Sequence, residues 1–499
     1  MQLCKATTYL ASAALLLTSR VDSVGASTLL RGGGDAGVQH DKISHHGRIL
    51  EEETPAVFLV AIVDDSNNGS KETFNLMLAD NTIYEMEDLD EDWKQNEGKS
   101  WKSGSKVNVP LGVEFLKNGK AKMNGKKPKI NGEANNGNNG QGNKKDKKAL
   151  FGRHLKARTE EQQRNVDLIH RHLSSTQGDK KVVAVRVSAS DNTYSFSEDH
   201  LRSKVFGKNA DGTNSGDDFN LSSGYQQCSY GELTFSPKES TTSGGVAINN
   251  GVVTIDVAIT ASGASDGTVR NAVTNKIQQL LGSSMTDVAD YWMYCLPPGT
   301  SGSWIAYAYI NSYISVYNNG WCNYPSGQMH EIGHNLGFAH SGESQTYDDQ
   351  SGMMGYSYSD DEGPVMCFNS AKSWQTGWYG SNGLYGDKTM VMSFGDSCFS
   401  GSLSGIADYD ITSNKVLIKI VNPSGNGDDI FVAFNAKKGI NSGTLEAGNQ
   451  VTVVKVGSGG GNTYSESTLL SKLSAGGSYT LVYWSTSSIS YAKSDSKSD

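Results

Sequence analysis

The stretch QMHEIGHNLGFAHSGE, residues 328–343, brings three histidines and a glutamate close together in the chain. His330 and His334 are four residues apart, so an α-helix would place them on one face, one turn apart. Two imidazoles in that arrangement can bind a single metal ion. Glu331 is rotated by about 100° from His330, which places it beside the ligands, where it can act on a water molecule as a general base.

The third histidine requires a break in the helix. His340 follows His334 by six residues, and a continued helix would carry it away from the other two. Gly337 lies between them, and glycine readily adopts the left-handed conformation that ends helices. The spacing therefore predicts that His340 returns as a third ligand. Three neutral nitrogens leave one position for water, whose pKa zinc lowers to about 7 in such sites.

The alternative is a helix that holds two histidines for packing alone, because the pattern His-Glu-x-x-His also occurs by chance. The added glycine and third histidine make chance less probable. These three are also the only histidines after Leu201 in a chain that has ten. The pattern therefore predicts one catalytic Zn²⁺, since zinc suits three histidines plus water better than other metals do.

The elements around this stretch indicate a mixed α+β domain over residues 179–400, with a twisted sheet and an active-site helix. Val182–Ala189 and Val252–Ile259 are strand-like, and the periodic run that ends before Gly282 predicts a helix. Aromatic and β-branched residues from Trp304 to Ile310 predict a further strand. That strand either binds extended substrate by strand addition or is an ordinary core strand.

The N-terminal third has the composition of a secreted precursor, a zymogen. Residues 1–26 have the basic start, apolar run and small residues of a cleaved signal peptide, and the run is shorter than the roughly 20 residues of a membrane anchor. Residues 27–178 are predicted to be a pro-region. It contains a β-rich unit at 56–116 and a flexible Gly/Asn/Lys linker at 117–150.

The charge of the chain is unevenly distributed. Residues 117–158 carry 13 Lys and Arg against 2 acidic residues, whereas residues 180–499 carry 19 against 29. A basic stretch can attract nucleic acid, but this one has almost no aromatic residues and follows a signal peptide, so no nucleic-acid partner is expected. Residues 401–499 are predicted to be an all-β sandwich-like domain with a disordered tail, and no mature segment is predicted to span a membrane.

Six cysteines are present, and Cys4 would leave with the signal peptide. The other five predict two disulfides and one leftover thiol in an oxidising compartment, with a pairing that the sequence does not determine: Cys228, Cys295, Cys322, Cys367 and Cys398. Two glycosylation sequons, at Asn68 and Asn220, are compatible with secretion.

The extended histidine pattern resembles the metzincin clan of zinc peptidases, which also carry a methionine in a tight turn below the metal. In DDQSGMMGYS, Met354 occupies that place, and Met353 is a weaker candidate. In some metzincins a tyrosine two residues later stabilises the tetrahedral intermediate. Tyr356 has that position, and its alternative is an ordinary packed aromatic.

Longer blocks are similar to the gametolysin family, algal metzincins that degrade extracellular matrix. These blocks are GSWIAYAYI, QMHEIGHNLGFAHSGE, YDDQSGMMGYSY and MCFNSAKSWQTGWY, and the likeness covers roughly residues 180–400. The resemblance implies a secreted, extracellular zinc metalloendopeptidase that hydrolyses matrix or cell-wall glycoproteins. It also implies a metzincin-type catalytic domain, with the zinc held by His330, His334 and His340 and with Glu331 as the general base.

One departure from many metzincins concerns latency. Their pro-region cysteine binds the zinc and keeps the precursor inactive, but no cysteine lies between Cys4 and Cys228 here. A thiolate switch is therefore excluded for residues 27–178. Latency must come from steric cover or from an aspartate, glutamate or histidine ligand of the pro-region.

Two other functions compete with a peptidase. The first is a secreted binding or matrix protein with a structural or inactive metal site, whose function resides in residues 401–499. The second is zinc-dependent hydrolysis of a non-peptide substrate. The intact Glu331 argues against the first of these.

Overall fold

A computed structural model gives the fold of the chain. The residues that it describes are 2–5, 48–50, 53–65, 69–79, 81–98, 101–130, 176–239, 247–355, 363–379, 388–393, 399–422, 428–457, 464–481 and 487–490. Tyr356, Asn68, Cys398 and most of the predicted signal peptide and linker lie outside these ranges. Within them, no helix has the length and apolar character that crossing a membrane requires.

The described residues before 131 are almost entirely β-structure. Their elements are β1 (Gln2–Lys5), β2 (Arg48–Ile49), β3 (Thr54–Asp65), β4 (Gly69–Met77), β5 (Ile83–Glu87), α1 (Glu91–Trp93), a π-turn (Lys94–Gly98), β6 (Ser105–Val109), β7 (Glu114–Phe115), β8 (Lys120–Lys122) and β9 (Lys129–Ile130). Strands β3 and β4 form a long antiparallel hairpin, and β6 pairs with the first half of β3. Phe58, Phe74 and Trp93 centre its core. The β-rich composition predicted for residues 56–116 agrees with these strands.

The central part alternates strands and helices. Its elements are β10 (Gly178–Ser188), α2 (Glu198–Phe206), α3 (Leu221–Cys228), β11 (Leu233–Pro237), β12 (Val252–Asp256), α4 (Asp266–Leu281), a 3-10 turn (Met285–Asp287), β13 (Tyr291–Leu296), β14 (Trp304–Tyr309), β15 (Ile314–Asn318), a 3-10 turn (Asn319–Asn323), α5 (Pro325–Asn335), β16 (Ser341–Gly342) and α6 (Ser370–Thr376). The predicted mixed α+β class is confirmed. Helix α4 begins where the Ser265 side chain caps it, and it ends at Gly282, as predicted, in a left-handed conformation.

The central sheet is parallel except for one strand. Its order is β11–β10–β13–β15–β14, with β12 beside the second half of β10, and only β14 runs antiparallel to its neighbour β15. One face packs on α4 and the other on α2, α3 and α5. Helix α5 and the three histidines thus lie on the second face.

The central sheet does not end at β14. Strand β3 pairs antiparallel with β14, from Ala61 opposite Tyr309 to Asp65 opposite Trp304, and so joins the N-terminal strands to the central ones. Among the described residues this gives one sheet of 14 strands. β14 is the strand predicted either to bind substrate or to be an ordinary core strand. It therefore has β3 as its neighbour.

The C-terminal part is β-rich, as predicted. Its elements are β17 (Thr389–Ser393), β18 (Phe399–Ser400), a 3-10 turn (Ile406–Asp408), β19 (Leu417–Val421), β20 (Asp429–Asn435), a 3-10 turn (Gly439–Asn441), β21 (Gln450–Val456), β22 (Ser467–Leu473), β23 (Ser478–Leu481) and β24 (Ser487–Ser490). They form a six-stranded sheet, β16–β22–β21–β20–β19–β17, and a four-stranded sheet, β18–β1–β24–β23. Phe399 and Tyr479 pack against the outer face of the larger sheet. The sandwich arrangement itself stays a prediction.

Two disulfides brace the region around α5. Cys228 at the end of α3 is bonded to Cys367 ahead of α6, and Cys295 of β13 is bonded to Cys322 ahead of α5. These two bonds agree with the predicted number, and Cys398 lies outside the described residues. Neither pairing follows from sequence spacing, because the partners are 139 and 27 residues apart.

Candidate metal centre

Helix α5 carries the first two histidines and is buried along its whole length. Pro325 occupies its first turn, where the missing N–H costs nothing and the fixed φ favours a helix. Two side-chain bonds hold this end in place. The Tyr225 hydroxyl donates to the Met329 carbonyl (2.8 Å), and the Gln328 amide donates to the Cys322 carbonyl (2.6 Å).

The three histidines meet at one point. Ligand atoms of His330, His334 and His340 all lie within 4.8 Å of one another, and the Nε2 atoms of His334 and His340 are 3.0 Å apart. All three side chains are buried. The predicted return of the chain after the helix therefore brings His340 to the other two.

Gly337 makes that return possible. Its φ is 92°, a left-handed conformation that strains any residue with a Cβ atom. Its N–H bonds to the His334 carbonyl, and the Phe338 N–H bonds to the Gly333 carbonyl. The Gln375 amide of α6 donates to the Gly337 carbonyl (2.8 Å), so the turn is held from outside as well.

The other ring nitrogen of each helical ligand is bonded to backbone. His330 Nδ1 lies 2.9 Å from the Met353 carbonyl, and His334 Nδ1 lies 2.7 Å from the Phe338 carbonyl. A carbonyl only accepts, so each Nδ1 carries the proton and each Nε2 keeps its lone pair for a metal. Burial also lowers the pKa of His330, His334 and His340, which favours the neutral form that binds metal.

Met354 lies against the helix at Gly333, between the two helical histidines, and its role as the metzincin methionine stays a prediction. A Cβ atom on Gly333 would come within 2.7 Å of the Met354 sulfur, so the helix and this methionine approach each other as closely as glycine allows. The Met354 carbonyl also accepts from the Ser341 N–H, next to the third histidine. Tyr356 lies outside the described residues, and its role stays a prediction.

Two residues near the histidines were not among the candidates from the sequence. Asp64 of β3 is 1% exposed, with one carboxylate oxygen 3.8 Å from His330 Nε2 and the other 3.9 Å from His340 Nε2. The Tyr347 hydroxyl donates to the same carboxylate, and its ring centre lies 4.2 Å from that of His340. The sequence signal for Asp64 is weak, since it consists only of the acidic pair Asp64 and Asp65 at the end of an apolar strand.

Glu331 is fully buried on α5 beside His330. Its carboxylate helps to raise the pKa of two tyrosines near the site. Burial raises the pKa of Tyr317, and the Glu331 carboxylate raises it further. The pKa of Tyr347 is raised by burial, by Asp64 and, less strongly, by Glu331.

The donor set fits a zinc ion. Three neutral imidazole nitrogens within a few ångströms of one another are the ligands of many catalytic zinc sites, and their hydrogen-bonded Nδ1 atoms fix the rings as such sites require. His330, His334 and His340 would hold the ion.

Comparison with known families gives one match. The family model described as gametolysin peptidase M11 matches residues 180–476, which include the histidine stretch, α6 and most of the C-terminal sheet. Neither the curated proteins nor the solved structures that were compared gave a match. The matched region covers more than half of the chain, from β10 to the end of β22. The protein therefore belongs to the gametolysin family of metallopeptidases.

Proposed function

We propose that this protein is a zinc-dependent metalloendopeptidase that hydrolyses peptide bonds of proteins. The observation that carries the proposal is the position of Glu331, one residue after the first of three buried histidines whose nitrogens converge. A site that only stabilises the fold has no need of a carboxylate there. Family membership supports the same reaction class.

A zinc ion held by His330, His334 and His340 would supply a Lewis acid that lowers the pKa of water and polarises the scissile carbonyl. Glu331 takes the proton of the attacking water and delivers it to the leaving amine nitrogen. Met354 supports the ligands from below, and β14 would offer its backbone groups to an extended substrate by strand addition once β3 has left it. Tyr356 is a further candidate for stabilising the tetrahedral intermediate.

The finer parts of the proposal come from the sequence and the family resemblance. The chain is secreted after removal of residues 1–26, and it is made as a precursor with a pro-region at 27–178. Its catalytic domain is of the metzincin type, and residues 401–499 form a sandwich-like β domain. Its substrates are matrix or cell-wall glycoproteins.

Replacement of Glu331 tests the reaction. The Glu331→Gln chain is expected to bind zinc with unchanged stoichiometry but to lose proteolysis by about 10²–10⁴-fold, because the amide cannot accept the proton. Labelled casein and a cell-wall protein extract serve as substrates, and metal content is measured by atomic emission. Glu343→Gln is the matched control, since Glu343 lies past the third histidine and pairs with Lys472.

The same assay separates the competing functions. A binding or matrix protein would show equal inactivity in the processed wild type and in processed Glu331→Gln. A hydrolase of other substrates would cleave esters or small amides and leave both protein substrates intact. Loss of proteolysis on addition of a zinc chelator would show that cleavage depends on the metal.

A further inference from the structure

We propose that Asp64 is a fourth protein ligand of the metal in the unprocessed chain, and that β3 holds it there while occupying the substrate strand. The N-terminal unit, which comprises strands β2–β9, would then inhibit the site in two ways, through the metal and through β14. This inference rests on the metallopeptidase function proposed above.

The carboxylate oxygens of Asp64 lie close to the position of a fourth ligand. Zinc bonds of about 2.0–2.2 Å place two ligands of one tetrahedral ion roughly 3.3–3.6 Å apart. The two oxygens of Asp64 lie 3.8 and 3.9 Å from the Nε2 atoms of His330 and His340, and the Nε2 atoms of His334 and His340 are 3.0 Å apart. These separations differ from that range by about 0.3 Å or less, so a small movement of the side chains would bring the carboxylate to an ion held by the histidines.

Charge favours the same arrangement. Asp64 is 1% exposed, and a carboxylate removed from water to this degree requires compensating positive charge. A divalent ion held by three neutral imidazoles supplies that charge at the right place. The Tyr347 hydroxyl donates to the carboxylate and orients it toward His330 and His340.

The backbone delivers Asp64 to the metal centre through an irregularity in the ladder. Asp65 pairs with Trp304 and Asp64 pairs with Ala306, so Ile305 is an extra residue on β14. Such a bulge re-aims neighbouring side chains and is common beside active sites. Beyond it, the pairing of β3 with β14 is regular as far as Ala61.

Further contacts fix the N-terminal unit in this position. The Ser70 hydroxyl of β4 lies 3.5 Å from His340 Nδ1, so the unit also contacts the third histidine from its outer side. At a distance from the site, the Asn271 and Arg270 side chains of α4 donate to the Ile83 carbonyl. Because the N-terminal unit is held at both places, Asp64 can leave the metal only if the pairing of β3 with β14 is disrupted.

The test uses the full-length chain in a Glu331→Gln background, so that it cannot cleave itself, with cobalt in place of zinc. In the precursor that keeps Asp64, called wild type here, azide is expected to leave the visible cobalt spectrum unchanged, because Asp64 fills the fourth position. Asp64→Ala should respond to azide and should release zinc to a chelator at least about tenfold faster. The isosteric Asp64→Asn should change in the same direction.

Asp65→Asn is the matched control, since Asp65 is the next residue of β3 and bonds instead to Ser303. It should behave like the wild type. An azide response in the wild-type precursor as large as in Asp64→Ala, or equal zinc release by the two, would overturn the proposal. The azide test on the wild type decides the question even if Asp64→Ala does not fold.

The two proposals fail separately. With Glu331 restored, the Asp64→Ala precursor still has β3 paired with β14. It would cleave casein only if substrate displaces β3 from that strand. The expected metal data together with no proteolysis by any form would overturn the peptidase function and support Asp64 as a ligand. Proteolysis by the processed chain without the expected metal data would support the peptidase function and overturn Asp64 as a ligand.

Discussion

At the scale of single residues, the metal centre depends on one backbone conformation. His330 and His334 are positioned by ordinary helical spacing, whereas His340 reaches them only because Gly337 adopts a φ of 92°. The side chain of Gln375 stabilises this turn from α6. A residue without any functional group is therefore as necessary to the ligand set as the imidazoles.

Gly337→Ala tests this dependence. The added Cβ disfavours the left-handed turn by roughly 1–2 kcal/mol, so we expect the third histidine to be displaced and zinc affinity to fall. Zinc content after dialysis and the melting temperature measure the two effects. Gly320→Ala is the control, because Gly320 is not left-handed and a Cβ there would meet only Phe196, at 3.8 Å. Unchanged zinc content in Gly337→Ala would contradict the argument.

At the scale of elements, α6 joins the metal centre to the C-terminal sheet. Its cap residue Asn369 donates to Ser341, Asp349 and Ser467, and Lys372 donates to the Ser465 carbonyl (2.7 Å). Burial is the main reason that the pKa of Lys372 falls to about 7. This helix therefore carries a buried amine whose charge state changes near neutral pH.

The lowered pKa predicts a pH dependence of stability. Between about pH 7 and 10.5 the unfolded chain binds a proton at Lys372 that the folded chain has lost, so the free energy of unfolding rises with pH. From pH 7 to pH 9 the rise amounts to roughly 2 kcal/mol. Urea unfolding in a Glu331→Gln background measures it, and Lys372→Met should remove this part of the slope. Parallel pH profiles of the two chains would refute the assignment.

At the scale of the whole molecule, the metal centre and the C-terminal sheet share one core. Phe431, Val454 and Leu469 are buried in the same cluster as the hydrophobic residues of α5. Strand β22 also pairs with β16, and the Ser467 N–H bonds to the His340 carbonyl. The boundary predicted at residue 400 stays a prediction, but the packing is continuous across it.

A truncated chain tests that continuity. Removing everything after residue 400 loses Phe431, Val454 and Leu469, each worth about 1.5–3 kcal/mol of burial, from a total stability of about 5–15 kcal/mol. We expect this chain to lose cooperative unfolding and zinc binding. A chain ending at residue 490 should retain both. Differential scanning calorimetry and metal analysis provide the measurements, and a stable zinc-binding chain 1–400 would show two independent units.

Local patterns predicted the parts of the site that are local. The spacing of His330 and His334, the turn at Gly337 and the ends of α4 follow from rules that act over a few residues, and the structure agrees with them. For latency, the absence of a cysteine from residues 27–178 left open steric cover or an aspartate, glutamate or histidine ligand, and it did not single out Asp64.

Contacts between distant segments could not be predicted. Asp64 reaches His330 across more than 260 residues through strand pairing, and no local signal specifies which strand lies beside β14. Tyr347 lies in a loop whose path depends on the packing around it. The cysteine pairs have the same origin, since their partners meet only when α3, α5 and α6 have packed together.

The pairing of β3 with β14 has a consequence for the solubility of the protein. An exposed edge strand offers unpaired N–H and C=O groups to any other chain, which makes it a starting point for aggregation. β14 is rich in aromatic residues, and its backbone is bonded to β3 from Ala61 to Asp65. The N-terminal unit therefore protects β14 of the newly folded molecule from pairing with other copies of the chain, at the strand proposed to bind substrate.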